Sequence, residues 1–166
     1  AWVTKGDGPQ DLIRFVAVLT GTVEIADLFA GQDPAWTLDG SRLAYVSTVA
    51  EVSQVFAADA ITTSQVTLEE VYAGQPTWAP DGKRLAYVAG GPPGRFGPRN
   101  QIRIVTLEGA PTEQISVQAA GYLVSLEAAP DGRGFYAGTR TPVAGSTLYY
   151  VDMAGRAELL WDQPGA

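Results

Sequence analysis

The sequence predicts an all-β protein, and three observations lead to this prediction. One segment is repeated along the chain, its apolar residues alternate with a period of two, and no stretch has the period of a helix. The chain has 166 residues, of which 19 are Gly and 11 are Pro. Charged residues make up 17% of it, compared with about 25% in typical soluble domains. Few charges and many turns are typical of sheets covered on both faces.

The repeated segment occurs twice in nearly the same form and a third time in a weaker form. Residues 34–46 read Pro-Ala-Trp-Thr-Leu-Asp-Gly-Ser-Arg-Leu-Ala-Tyr-Val, and residues 76–88 read Pro-Thr-Trp-Ala-Pro-Asp-Gly-Lys-Arg-Leu-Ala-Tyr-Val. Trp36 and Trp78 therefore lie 42 residues apart. The third copy, at 126–137, keeps the Asp-Gly pair but has alanine in place of the tryptophan. A repeat of this length indicates a structural unit that recurs.

Each unit contains four predicted strands, which we name a, b, c and d. The repeated segment supplies strands a and b, joined by an Asp-Gly hairpin turn in which Asp accepts backbone hydrogen bonds and Gly supplies a positive φ. Two further strand-like runs follow each copy and supply strands c and d. The predicted c–d turns lie near residues 20–22, 62–64, 108–110 and 154–156.

Four-stranded units at a period of about 40–45 residues indicate the blades of a β-propeller. Division of the chain length by the 42-residue spacing predicts about four blades in a single domain. A half ring or a fragment of a larger propeller is the alternative. Trp36 and Trp78 are predicted to fill the space between successive blades, and a sugar or peptide platform is their alternative role. The predicted blades span residues 1–32 (partial), 33–75, 76–121 and 122–166.

The pattern Pro-x-Trp-x-x-Asp-Gly-x-Arg-Leu-Ala-Tyr-Val resembles the repeat of TolB-type, WD-like β-propellers. Similar repeats occur in the propeller domains of the prolyl-oligopeptidase family. The resemblance covers about residues 12–163; the first copy departs from it at Leu38, where the family prefers Pro. It implies a bacterial, periplasmic or extracytoplasmic propeller that binds proteins or peptides, or one that gates a separate hydrolase domain.

Composition excludes several kinds of function. The chain has no His and no Cys, which excludes a Ser-His-Asp triad, a thiol nucleophile and a zinc cluster of these ligands. The net charge of −7 argues against nucleic acid as a partner, and no apolar run has the length of a membrane span.

The acidic residues that lie close together do not form a recognisable site. Asp7 and Asp11 lack the spacing of a calcium loop. Glu69 and Glu70, adjacent in a predicted d strand, point to opposite faces and cannot act as a catalytic pair. We therefore expect no enzymatic activity, no cofactor and no metal.

The long connections between strands b and c carry the candidate site. These connections share one face of a propeller with the d–a connections, whereas the short a–b and c–d turns lie on the other. The connection at 90–100 contains Arg95, Phe96 and Arg99, which offer an aromatic anchor and bidentate donors for carboxylates. A surface insertion without a binding role is the alternative. The four b–c connections are predicted at 4–11, 47–53, 90–100 and 138–146.

Three functional hypotheses follow. The first is a non-enzymatic module that binds a protein or peptide through Arg95, Phe96 and Arg99. The second is the propeller part of a larger hydrolase of the prolyl-oligopeptidase kind. The third is a structural module that forms a homodimer and so completes a larger ring. The third is suggested by residues 1–4, which are either the end of a b strand, leaving the first blade without its a strand, or a degenerate a strand. An open edge strand favours pairing with another chain.

Overall fold

The computed structural model describes residues 2–4, 12–19, 22–90, 99–107, 115–118, 122–141 and 145–163. These residues form four antiparallel sheets, each a meander of strands consecutive in the sequence. The first sheet contains β1 (Trp2–Thr4), β2 (Leu12–Leu19) and β3 (Thr22–Ala30). The second contains β4 (Gln32–Trp36), β5 (Leu43–Val49), β6 (Val52–Ala58) and β7 (Thr63–Gln65). The third contains β8 (Ala73–Trp78), β9 (Arg84–Gly90), β10 (Arg99–Thr106) and β11 (Ile115–Gln118). The fourth contains β12 (Tyr122–Ala128), β13 (Gly134–Thr141), β14 (Gly145–Asp152) and β15 (Ala157–Gln163).

The all-β prediction is confirmed, and the last three sheets each carry strands a to d in order. The first sheet has three strands among the described residues, and β1 pairs antiparallel with β2 at Trp2↔Arg14 and Thr4↔Leu12. Trp2–Thr4 therefore occupies the b position, as in the first of the two predicted alternatives.

The Asp-Gly turns between strands a and b have the same geometry in three sheets. Gly40, Gly82 and Gly132 have φ values of 70°, 66° and 72°. In each turn the Gly N–H donates to the carbonyl three residues earlier, at 2.9, 2.9 and 3.0 Å. The Asp carboxylate of each turn accepts the N–H two residues later. The predicted hairpin role of these residues is confirmed.

The sheets pack face to face because apolar side chains occupy both alternating positions of the b and c strands. In the third sheet, Leu85 and Tyr87 face the second sheet, whereas Ala86 and Val88 face the fourth, and all four are buried. Each large apolar side chain covered in this way contributes about 1.5–3 kcal/mol. The core between the first and second sheets contains Ile13, Leu43, Tyr45 and Ala58. The core between the second and third contains Ala44, Val46, Val55, Ala73, Trp78, Leu85, Tyr87, Ala89 and Val105.

Three local predictions are wrong. The connection predicted at 138–146 is not long, because β13 extends to Thr141 and β14 begins at Gly145, and these two residues pair across the strands. The connection between β5 and β6 is not long: Ala50 and Glu51, with φ values of 47° and 68°, form a tight turn between strands that extend to residues 49 and 52. Positive φ values at both turn residues give the backbone twist that two-residue hairpins favour. Glu69 and Glu70 do not lie in a d strand, because β7 ends at Gln65 and residues 66–72 connect it to β8.

The outward face of the fourth sheet carries exposed aromatic side chains. Tyr136 and Tyr150 are cross-strand partners with ring centroids 5.7 Å apart, and Leu148 pairs with Trp161 on the same face. Tyr136 is 37% exposed and Trp161 is 49% exposed. The positions equivalent to Tyr136 in the second and third sheets are Ala44 and Ala86, both fully buried by the next sheet. Among the described strands, β12 of the fourth sheet contacts β8, β9 and β10 of the third sheet.

Candidate functional site

The predicted site residues lie at the edge of what the structure describes. Arg95 and Phe96 lie outside the described residues, as do Asp7 and Asp11. Arg99 is the first residue of β10, where its backbone pairs with that of Gly90. The two ends of the 90–100 connection are therefore fixed in position by the third sheet.

The base of this connection packs against the residues that lead from β7 to β8. The N–H of Gly90 donates to the carbonyl of Tyr72 at 2.8 Å. A Cβ atom at position 90 would lie 2.9 Å from the Cβ of Tyr72 and 3.2 Å from a methyl of Val71, so the contact requires glycine. The side-chain oxygen of Asn100, beside Arg99, is buried and has no hydrogen-bond partner among the described residues. The b–c connection of the third sheet and the d–a connection before it therefore share one face, which we call the b–c face.

A polar network lies beneath the b–c face, between the second and third sheets. The Glu69 carboxylate accepts hydrogen bonds from the Tyr87 hydroxyl at 2.8 Å and from the Arg103 guanidinium at 2.7 Å. Arg103 also donates to the side-chain oxygen of Gln101 at 3.2 Å. The Glu69 side chain is 9% exposed and that of Arg103 is 26% exposed. The charges are paired and mostly covered, and the network links the segment that leads from β7 to β8 with β9 and β10.

The side chain of Gln54 completes this support by pairing with backbone groups. Its amide nitrogen donates to the carbonyl of Glu69 at 2.6 Å, and its oxygen accepts the N–H of Glu69 at 3.0 Å. The Thr67 hydroxyl donates to the same oxygen at 2.7 Å and accepts the N–H of Val55 at 2.9 Å. The side chain of Gln54 thus pairs with both backbone groups of Glu69, as a neighbouring strand would do. Sequence reasoning missed this network, because its members are far apart in the chain and fit no local motif.

The opposite face, formed by the a–b and c–d turns, has a cavity of about 560 Å³ in the second sheet. Trp36 lines this cavity and is 39% exposed, whereas Trp78 is 5% exposed and donates from its indole to the carbonyl of Ala35 at 3.1 Å. The prediction that both tryptophans lie between blades is confirmed for Trp78, whereas Trp36 lies beside Leu43 and Ala58 at the opening of the core between the first and second sheets and is partly exposed.

The carboxylates of the turns near this cavity are ionised, and they accept hydrogen bonds from groups within the same turns. Hydrogen bonds from the Thr37 hydroxyl and from the N–H and hydroxyl of Ser41 lower the pKa of Asp39 to about 2. The N–H groups of Ile61 and Thr62 lower the pKa of Asp59 in the same way. A general acid needs a raised pKa, so these residues stabilise turns and do not donate protons. No cluster of three or more potential metal-ligating side chains occurs in the described part of the chain.

Comparison with known proteins gives a match in structure only. Neither a protein-family model nor a curated protein matches the sequence. The solved structure of TolB from Acinetobacter baumannii is similar over 97% of this chain, with a TM-score of 0.69 and 17% identity. The chain has a TolB-like β-propeller fold. The β-propeller domain of the Trilobed protease from Pyrococcus furiosus, which has an open velcro topology, is similar over 97% of the chain, with a TM-score of 0.63 and 13% identity. Acylaminoacyl peptidase from Pyrococcus horikoshii is similar over 93%, with a TM-score of 0.62 and 15% identity.

This TolB-like propeller spans only part of the structures that it matches. It covers 40% of the A. baumannii TolB chain, 52% of the Trilobed protease chain and 28% of the acylaminoacyl peptidase chain. The resemblance to TolB and to peptidase propellers is thus confirmed as a fold. The described residues form propeller sheets alone, without a counterpart of a peptidase catalytic domain. They also contain no helix long and apolar enough to cross a membrane.

Proposed function

We propose that this chain is a non-enzymatic propeller module that binds a protein or peptide partner through its b–c face, in the periplasm or outside the cytoplasm of a bacterium. The observation that carries the proposal is the anchoring of the 90–100 connection at its two ends, by the hydrogen bond from Gly90 to Tyr72 and by the pairing of Arg99 with Gly90, above the network of Glu69 and Arg103. Loops that carry binding residues are typically held in this way by a rigid scaffold.

The residues of this connection define the chemistry of the partner. Arg95 and Arg99 bind carboxylates through paired N–H groups, and Phe96 adds apolar contact area. The Arg103 guanidinium is already paired with Glu69, so it does not compete for the same ligand. An acidic peptide segment that carries an apolar or aromatic residue fits this set best.

Selection from a random peptide library tests this proposal. We expect the chain to enrich acidic peptides, and we expect the triple variant R95A/F96A/R99A to lose their capture while its melting temperature is unchanged. Arg156→Ala is the matched control, because Arg156 is exposed in the turn after β14, on the opposite face. Equal capture by the triple variant and the wild type would remove the 90–100 connection from the site.

The first alternative is the propeller part of a larger hydrolase, in which this module gates a catalytic domain. The match to 28% of an acylaminoacyl peptidase chain favours it. The gene sequence that flanks these residues distinguishes the two. A downstream α/β-hydrolase segment with a Gly-x-Ser-x-Gly motif supports the alternative, and further propeller repeats without such a segment support the binding module.

The second alternative is a structural module that forms a homodimer and completes a larger ring. The exposed face with Tyr136, Leu148, Tyr150 and Trp161 favours it, since the equivalent faces of the two preceding sheets are covered by a neighbouring sheet. Sedimentation equilibrium tests this alternative. A dimer that Tyr136→Lys disrupts supports it, and a mass of 17.5 kDa at high concentration contradicts it.

A further inference from the structure

The three Asp-Gly turns between strands a and b share one backbone geometry but hold their carboxylates differently. In each turn the carboxylate accepts the N–H two residues later, and the Gly N–H donates to the carbonyl three residues earlier. In the first turn the Asp39 carboxylate also accepts the Thr37 hydroxyl at 2.7 Å and the Ser41 hydroxyl at 2.8 Å. Three hydrogen bonds from its own hairpin therefore fix the Asp39 side chain.

The second turn fixes its carboxylate as firmly, and the third does not. The Asp81 carboxylate accepts the N–H of Lys83 at 2.8 Å, and Arg84 donates to it from its backbone N–H at 3.1 Å and from Nε at 2.8 Å. The Asp131 carboxylate accepts the N–H of Arg133 at 3.0 Å, which is its one hydrogen bond among the described residues. Every donor in the three turns comes from the same hairpin as its carboxylate, so the difference lies in the hairpin sequences themselves.

The missing arginine donor in the third turn follows from a packing constraint. Gly134 stands where Arg84 stands in the second copy of the repeat. A Cβ atom at position 134 would overlap the carbonyl of Val151 and the ring of Tyr150, so the fold excludes an arginine there. Asp131 is exposed, and its side chain is therefore free to turn towards the backbone nitrogen of the glycine that follows it.

We propose that Asp131 is a site of isoaspartate formation, a spontaneous modification of the backbone, and that the turns of Asp39 and Asp81 resist it. The nitrogen of Gly132 attacks the side-chain carboxyl carbon of Asp131, and its proton leaves with the carboxyl hydroxyl as one water molecule when the five-membered succinimide closes. Water then adds to the succinimide and opens it at either carbonyl. Opening at the backbone carbonyl gives isoaspartate, in which the main chain runs through the side-chain carboxyl and contains one additional methylene group.

The modification bears on the contact between the third and fourth sheets. Gly132 has a φ of 72° and lies against the preceding hairpin, where a carbon of Pro80 is 3.7 Å from a Cβ built at position 132. An additional methylene group in the main chain displaces Gly132 from Pro80, so we expect isoaspartate at residue 131 to loosen this packing. The site lies on the face of the a–b and c–d turns and is independent of the function proposed for the b–c face.

Prolonged incubation of the full chain in mildly acidic buffer tests this inference, with isoaspartate located by peptide mapping and electron-transfer fragmentation. In the folded chain, isoaspartate should form at residue 131 at least about tenfold faster than at residues 39 and 81, because two further hydrogen bonds to a charged acceptor must open at those residues. In urea the three residues should react at similar rates, since glycine follows each of them. Equal rates at the three residues of the folded chain would overturn the inference, as would unmodified Asp131 once the chain in urea has reacted.

Two substitutions of Arg133 provide a matched pair of variants. Both remove the same exposed side chain, but serine restores the hydroxyl donor that Ser41 supplies to Asp39. Arg133→Ser should slow isoaspartate formation at Asp131 at least about fivefold, and Arg133→Ala should leave it unchanged. Equal rates in the two variants would show that hydrogen bonds to the carboxylate do not control the reaction and would also overturn the inference.

Discussion

The ion pair between Glu69 and Arg103 offers a quantitative test of how the b–c face is supported. Glu69→Ala removes the acceptor of two hydrogen bonds of 2.7 and 2.8 Å and leaves the Arg103 charge three-quarters covered and without its carboxylate. Breaking a buried pair costs about 3–5 kcal/mol, and the partial exposure of Arg103 places the expected loss near the lower end, at about 3 kcal/mol. For a domain of this size, that loss lowers the melting temperature by about 6–12 °C.

Urea unfolding monitored by circular dichroism measures this loss as a change in midpoint at constant slope. Tyr87→Phe, which removes one hydrogen bond to a charged acceptor, should cost about 1.5–3 kcal/mol. Glu70→Ala is the matched control, because Glu70 is the exposed neighbour of Glu69 and should change stability by less than about 0.5 kcal/mol. If Glu69→Ala and Glu70→Ala unfold at the same urea concentration, the network does not support the face and the reasoning fails.

Three further predictions address other parts of the fold. Gly90→Val should destabilise the protein and alter the base of the 90–100 connection, because its side chain would overlap Tyr72; unchanged thermal unfolding would contradict this. The pKa of the Asp39 carboxylate falls from 3.8 to about 2 on folding, so its contribution to stability is complete above about pH 4 and is lost as the pH falls towards 2. When the free energy of unfolding is measured against pH, the Asp39→Asn variant should lack this part of the profile. Trp78→Ala should cost about 3–5 kcal/mol in chemical denaturation, clearly more than Trp36→Ala, since only Trp78 is enclosed between blades; equal losses would show that the two positions are packed alike.

The sequence was sufficient to predict the features that repeat. Three Asp-Gly pairs adopt the same turn, and the period-two pattern around Leu85 and Tyr87 identifies a strand, because these signals are local. The tight turn at Ala50 and Glu51 was not predicted, since neither residue type favours a positive φ.

The remaining features depend on contacts between distant residues. Residues 66–72 have the β-branched composition of a strand, but the backbone N–H and carbonyl of Glu69 pair with the side chain of Gln54 and not with a strand. Trp36 and Trp78 occupy the same position in the repeat, yet Trp78 is far less exposed because its indole packs against β4 of the preceding sheet and donates to the carbonyl of Ala35. The candidate residues Arg95, Phe96 and Arg99 stay a prediction, whereas the anchoring of their loop is a property of the third sheet.

Hydrogen–deuterium exchange of the chain with and without a peptide selected from the library tests the central claim most directly. If the b–c face is the binding site, the added protection lies in residues 69–72 and 90–100, while the turns at residues 38–41 and the strand at residues 157–163 exchange as before. Protection confined to those turns or to the outward face of the fourth sheet would contradict the account and assign binding to another surface.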